Sequence, residues 1–79
     1  MGDGNRDIHI GQDIRRKLKE QGRTVTWFAK AIHTDRSNVY KMFRQHSMDV
    51  VKLMEISRLL GYNFLQDCAD RLFPKEPLT

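Results

Sequence analysis

Arg36, Ser37, Asn38 and Lys41, in the stretch DRSNVYKM, place a guanidinium, a hydroxyl, a carboxamide and an ammonium close together in the chain. These groups break no bonds, but they suit the reading of an edge of donors and acceptors. Arginine and lysine donate to guanine O6 and N7, asparagine bonds adenine or a phosphate, and serine adapts to either. Arg44, Gln45 and His46 prolong the polar run, Tyr40 interrupts it, and Thr24 and Thr26 offer hydroxyls upstream. Bond-making chemistry has poorer candidates. His9, His33, His46 and Cys68 lack the spacing of metal ligands, and no Ser/His/Asp or Cys/His set lies on elements expected to converge. There is no glycine-rich phosphate loop. Neither an enzyme nor a cofactor or metal is expected.

The elements that must carry these residues are helical. Ile10, Ile14 and Leu18 recur every four residues and predict helix 1 over 8–21, with Arg15, Arg16, Lys17 and Lys19 around the rest of its circumference. Asp7 is its expected N-cap and Gly22 its left-handed stop. Thr24 can cap helix 2, whose inner stripe is Val25, Phe28, Ala29 and Ile32. Asp35 can cap helix 3, which turns Val39, Met42 and Phe43 inward. Helix 4 runs from about 50 to 60 behind Asp49, with Leu53, Ile56 and Leu60 inward, a staple of Met48 on Leu53, and Gly61 as its stop. Asn63 and Gln66 form a capping pair for helix 5, with Phe64, Leu65, Cys68, Ala69 and Leu72 as its apolar set. No stretch alternates with period two, so the fold class is all-α. Residues 1–7 read as a loose tail, 8–73 as one domain, and 74–79, with Pro74 and Pro77, as a frayed end.

Length and composition narrow the setting. Seventy-nine residues suffice for one small domain, which needs a compact core to be stable. A single cysteine cannot form an internal disulfide and fits a reducing cytoplasm. No apolar run approaches the roughly 20 residues that cross a bilayer, and no apolar segment of a leader follows Met1, so no membrane association is expected. Residues 1–46 carry a net +5 and 47–79 a net −1, which together give the chain's +4. A basic first half suits a face that meets a polyanion, although many small proteins reach such a charge by chance.

Residues 25–44 say more than "another helical hairpin". Ala29 is small where a second helix must cross closely, and the link to helix 3 is too short for antiparallel packing. Two helices so joined meet steeply, as in a DNA-binding helix-turn-helix. The chain resembles the lambda-repressor/Cro-like (XRE-type) helix-turn-helix family. The matching segments are IGQDIRRKLKEQGRT, WFAKAI, DRSNVYKM and LMEISRLLGY, in family order, from about Ile10 to Tyr62. The resemblance implies a compact five-helix domain whose helices 2 and 3 form the motif. Two departures are informative. The family usually has glycine in the turn, where this chain has His33, so a positive φ is expected there. The family often pairs an arginine in helix 1 with a glutamate at the end of helix 3. Leu18 and Phe43 stand at those positions, and an apolar contact between them would replace the ion pair.

On that resemblance, helix 3 enters the major groove, with Arg36, Ser37, Asn38 and Lys41 as base contacts. Thr24, Thr26, Tyr40, Arg44, Gln45 and His46 become phosphate contacts. The bland alternative is a solvated polar face. Asp35 caps the helix, because its carboxylate would repel phosphates. Solvation is the simpler role for Arg15 and Lys19. Trp27 either covers the domain or belongs to a partner surface. Helix 5 either completes the core or makes a homodimer on paired half-sites. The functional expectation is a cytoplasmic bacterial transcription regulator that binds specific double-stranded DNA. The rival is a protein-interaction module, such as an antitoxin-like subunit. RNA is disfavoured because the aromatics form no stacking platform.

Overall fold

In the computed structural model, residues 8–73 are described and form five helices with no strand among them. They are α1 (Ile10–Glu20), α2 (Val25–Ala31), α3 (Arg36–Phe43), α4 (Val50–Leu60) and α5 (Phe64–Leu72). The expected tails, 1–7 and 74–79, lie outside the described residues.

Local chemistry sets most of the boundaries. Thr24, Asp35, Asp49 and Asn63 each accept a hydrogen bond from the amide three residues on, as N-caps of α2 to α5. Each such cap stabilises its helix by about 1 kcal/mol. Gly22, with φ 69°, follows α1, and Gly61, with φ 66°, ends α4; glycine enters the left-handed region without a Cβ penalty. The α2–α3 turn enters it with a side chain, since His33 has φ 60°.

Two expectations need correction. α1 begins at Ile10, two residues later than expected, and its N-cap is His9, not Asp7. The His9 Nδ1 accepts from the Gln12 amide at 3.2 Å. A tertiary contact fixes that start. The Ile10 and Gly11 amides donate to the carbonyls of His46 and Gln45, at 3.0 and 2.9 Å, so the first turn of α1 is closed by the exit of α3. Gln66 is the second correction: its side chain donates forward to Asp70 at 2.9 Å and does not turn back to complete a capping box.

One core holds the five helices. Ile10, Ile14 and Leu18 meet Phe28 and Ala29, Val39, Met42 and Phe43, Leu53, Ile56 and Leu60, and Phe64. Leu18 and Phe43, the pair expected to meet, are both in this core, 2% and 4% exposed. α1 and α3 cross closely because Gly11 has no side chain, and a Cβ there would overlap the carbonyls of Met42 and Phe43. α5 is held differently from its expected apolar set. Phe64 is buried, Leu65 and Cys68 are half-buried, and Ala69, Leu72 and Phe73 are exposed. Its last turn is tied down by charge, with Arg71 donating to Asp13 on α1 and to Asp67 on its own helix. No buried side-chain polar atom among the described residues lacks a partner.

Candidate nucleic-acid interface

α3 divides sharply between an inner and an outer face. Val39 is fully buried, with Met42 and Phe43 beside it, while Arg36, Ser37, Asn38, Tyr40 and Lys41 are exposed. Eight residues make just over two turns, so the apolar set at 39, 42 and 43 can claim one side only. Asp35 does what its chemistry requires: its Oδ1 accepts from the Asn38 amide at 2.9 Å, which engages its charge at the head of the helix.

Three of the expected contact residues are gathered in space by α3 and the start of α4. Asn38, Lys41 and Gln45 line a cleft of about 350 Å³ together with Thr34, Met42, Met48, Asp49 and Lys52. Ser37 is exposed one residue before Asn38 and does not line the cleft. The Asn38 amide nitrogen donates to Thr34 Oγ1 at 2.8 Å, which fixes its rotamer and leaves its oxygen free to accept. Lys52 enters this cleft from α4. Sequence reasoning missed it, because only the fold brings α4 beside α3. A lysine three residues after an N-cap aspartate was the available signal.

Arg36, Tyr40 and Arg44 recur at four-residue spacing along α3 and are exposed. Tyr40 is half exposed and meets the Phe43 ring edge-on, with centroids 5.9 Å apart, so it both packs and presents its hydroxyl. Arg15 of α1 lies over the Phe43 ring at 5.9 Å, nearer to α3 than its solvated role suggested. His46 is exposed, and its ring lies 4.1 Å from that of His9. The His9 Nδ1 is already occupied as a cap, and among the described residues no group of three metal-ligand side chains forms.

Thr24 and Thr26 lie apart from the cleft, exposed at the start of α2. The Thr24 oxygen is engaged, accepting from the Trp27 amide at 3.0 Å. Trp27, left open between two roles, is half-buried against the core, and the Arg23 guanidinium covers its ring at 4.2 Å. Arg23 is thereby held as an exposed cation immediately before Thr24. A cation four residues before a tryptophan was its signal in the sequence.

Comparison with models of protein families, with curated proteins and with solved structures finds no match to this chain.

Proposed function

We propose that this chain binds double-stranded DNA sequence-specifically and acts as a transcription regulator. In this reading α2 and α3 form a helix-turn-helix of the lambda-repressor/Cro-like kind. The observation that carries it is the outer face of α3, where the core takes Val39, Met42 and Phe43 and leaves Arg36, Ser37, Asn38 and Lys41 exposed on a short rigid helix. A helix of that diameter fits the major groove of about 12 Å, and those four side chains are donors and acceptors matched to base edges. Lys41, Lys52 and Arg44 bring positive charge toward the flanking phosphates, and Thr24, Thr26, Tyr40, Gln45 and His46 supply neutral hydrogen bonds. The positive φ at His33 supports the reading, because a left-handed residue lets two helices turn steeply in few residues.

The test is selection of bound sequences from a random duplex library, followed by binding of the Arg36→Ala/Lys41→Ala double variant to the selected site. A defined motif, and loss of preference for it in the variant with an unchanged melting temperature, is the expected result. Each lost bidentate contact corresponds to about 1–3 kcal/mol of discrimination. Negligible, salt-insensitive binding to any duplex would turn the assignment to the rival, an antitoxin-like protein-binding module.

A further inference from the structure

The outer side of α4 is unused by the fold and by the proposed groove contact. Val51 is 61% exposed and Met54 47%, and Glu55 and Arg58 are exposed beside them. At 100° per residue these four make a single ridge, opposite the buried Leu53, Ile56 and Leu60. Toward the end of α4 the ridge opens onto a groove of about 440 Å³, lined by Met54, Ser57, Arg58, Tyr62, Asn63 and Leu65. A large aliphatic and a methionine beside an open, mostly apolar groove are costly to leave in water.

We propose that this ridge is a two-fold interface on which a second copy of the chain packs its own α4 antiparallel. Charge selects that occupant. Neither Glu55 nor Arg58 is in an ion pair among the described residues. With a two-fold axis passing between Ile56 and Ser57, Glu55 of each copy faces Arg58 of the other, so one contact makes two complementary pairs. The same operation sets Val51 of each copy toward Tyr62 at the groove of its mate, with Met54 along the edge of the contact. A self-complementary surface of this kind is what an isologous contact demands. The ridge is one helix and a turn wide, less than a standard interface of about 800 Å² per partner, so the dimer is reversible and concentration-dependent. α5, the other candidate for self-association, places Phe64 in the core and ties Arg71 to Asp13, with Leu72 and Phe73 exposed at its end.

Sedimentation equilibrium of the full chain, without nucleic acid, tests this separately from any DNA binding. The wild type should pass from monomer to dimer as concentration rises, and Met54→Asp should abolish dimerisation with unchanged helical circular dichroism. Glu55→Arg and Arg58→Glu should each weaken the dimer several-fold. The double variant Glu55→Arg/Arg58→Glu, which swaps the charges across the axis, should restore it even if Met54→Asp fails to fold. A wild type that stays monomeric throughout would overturn the proposal. So would a dimer indifferent to both single charge reversals, or one that the double variant does not recover.

Discussion

Arg71 on α5 and Asp13 on α1, 58 residues apart, are joined by a short charge-assisted hydrogen bond. Asp13 is 7% exposed, and its other oxygen receives Arg16 at 3.4 Å. The arginine pKa is raised, first by its hydrogen bond to Asp13 and then by that to Asp67, with burial opposing. α5 has only Phe64 fully inside the core, so this ion pair positions its far end.

Removing one partner is therefore worse than removing both. Arg71→Met should lower unfolding free energy by about 1–2 kcal/mol. That is less than for a fully enclosed pair, because the Arg71 side chain is 29% exposed. Asp13→Leu combined with Arg71→Met should recover part of the loss. Urea denaturation of the wild type, Arg71→Met and the double variant checks it; a double variant no more stable than Arg71→Met would contradict the assignment.

Gly11→Ala sets two effects against each other. Alanine favours a helix over glycine by up to about 1 kcal/mol, and by less in a first turn such as that of Gly11. Its Cβ would meet backbone carbonyls of α3, which cannot swing aside as a side chain would. Overpacking of this kind costs about 1–3 kcal/mol, so a lower melting temperature is expected. An increase would mean that α1 and α3 slide apart freely.

His33→Gly should raise stability. A left-handed residue with a Cβ costs about 1–2 kcal/mol, and the greater freedom of glycine in the unfolded chain takes back about 0.4–1. The expected gain is therefore between about 0 and 1.6 kcal/mol, with His33→Val moving the other way. Thermal melting of both variants provides the check.

Alkaline pH should weaken the fold. Burial pushes the Cys68 thiol up, and burial pushes the Tyr62 phenol up, with Asp67 adding to it. Lys17, hydrogen-bonded to Glu20, is raised as well. Each group therefore keeps its proton to higher pH in the folded than in the unfolded chain. The stability so gained is complete below the ordinary thiol and phenol values, about 8.5 and 10, and disappears as pH climbs through the folded ones. Denaturant midpoints should be level up to about pH 8 and then fall. Alkylation of Cys68 at pH 8 should be slower in the folded than in the urea-unfolded protein.

Lys52 and Arg23 provide a check on the duplex-bound geometry. If each neutralises one phosphate, Lys52→Gln and Arg23→Gln should each reduce the slope of log K against log salt by about 0.9, leaving sequence preference unchanged. Trp27, the chain's single tryptophan, lies under Arg23 and should report engagement at that end by its fluorescence. Unaltered slopes would place both lysine and arginine away from the backbone of the duplex.

Local signals explain why so much of the fold was legible in the sequence. Asp35, Asp49, Thr24 and Asn63 announce helix starts through side chains that bond the next turn, and the buried residues of α3 and α4 follow from helical spacing alone. The positive φ at His33 was expected from the resemblance alone, because that family usually has glycine in the turn. The start of α1 was misjudged, because the groups that satisfy Ile10 and Gly11 come from residues 45 and 46 and no local pattern encodes them. For the same reason Lys52 was overlooked beside α3, and Arg15 was assigned to solvent although it lies over the Phe43 ring. The apolar set read for α5 extended to Ala69 and Leu72, which are exposed, and hydrophobic periodicity does not register the Arg71–Asp13 tie that holds its end.

The splice between α1 and α3 has a consequence for how the molecule opens. First-turn amides of a helix ordinarily exchange with solvent by fraying, but those of Ile10 and Gly11 are locked onto carbonyls of another helix. Peeling either end strands donors and acceptors at once, so the two helices come apart in a single cooperative event. Excised from α1, the segment 24–46 would lose the brace that holds its second helix, and would not persist as a free-standing hairpin.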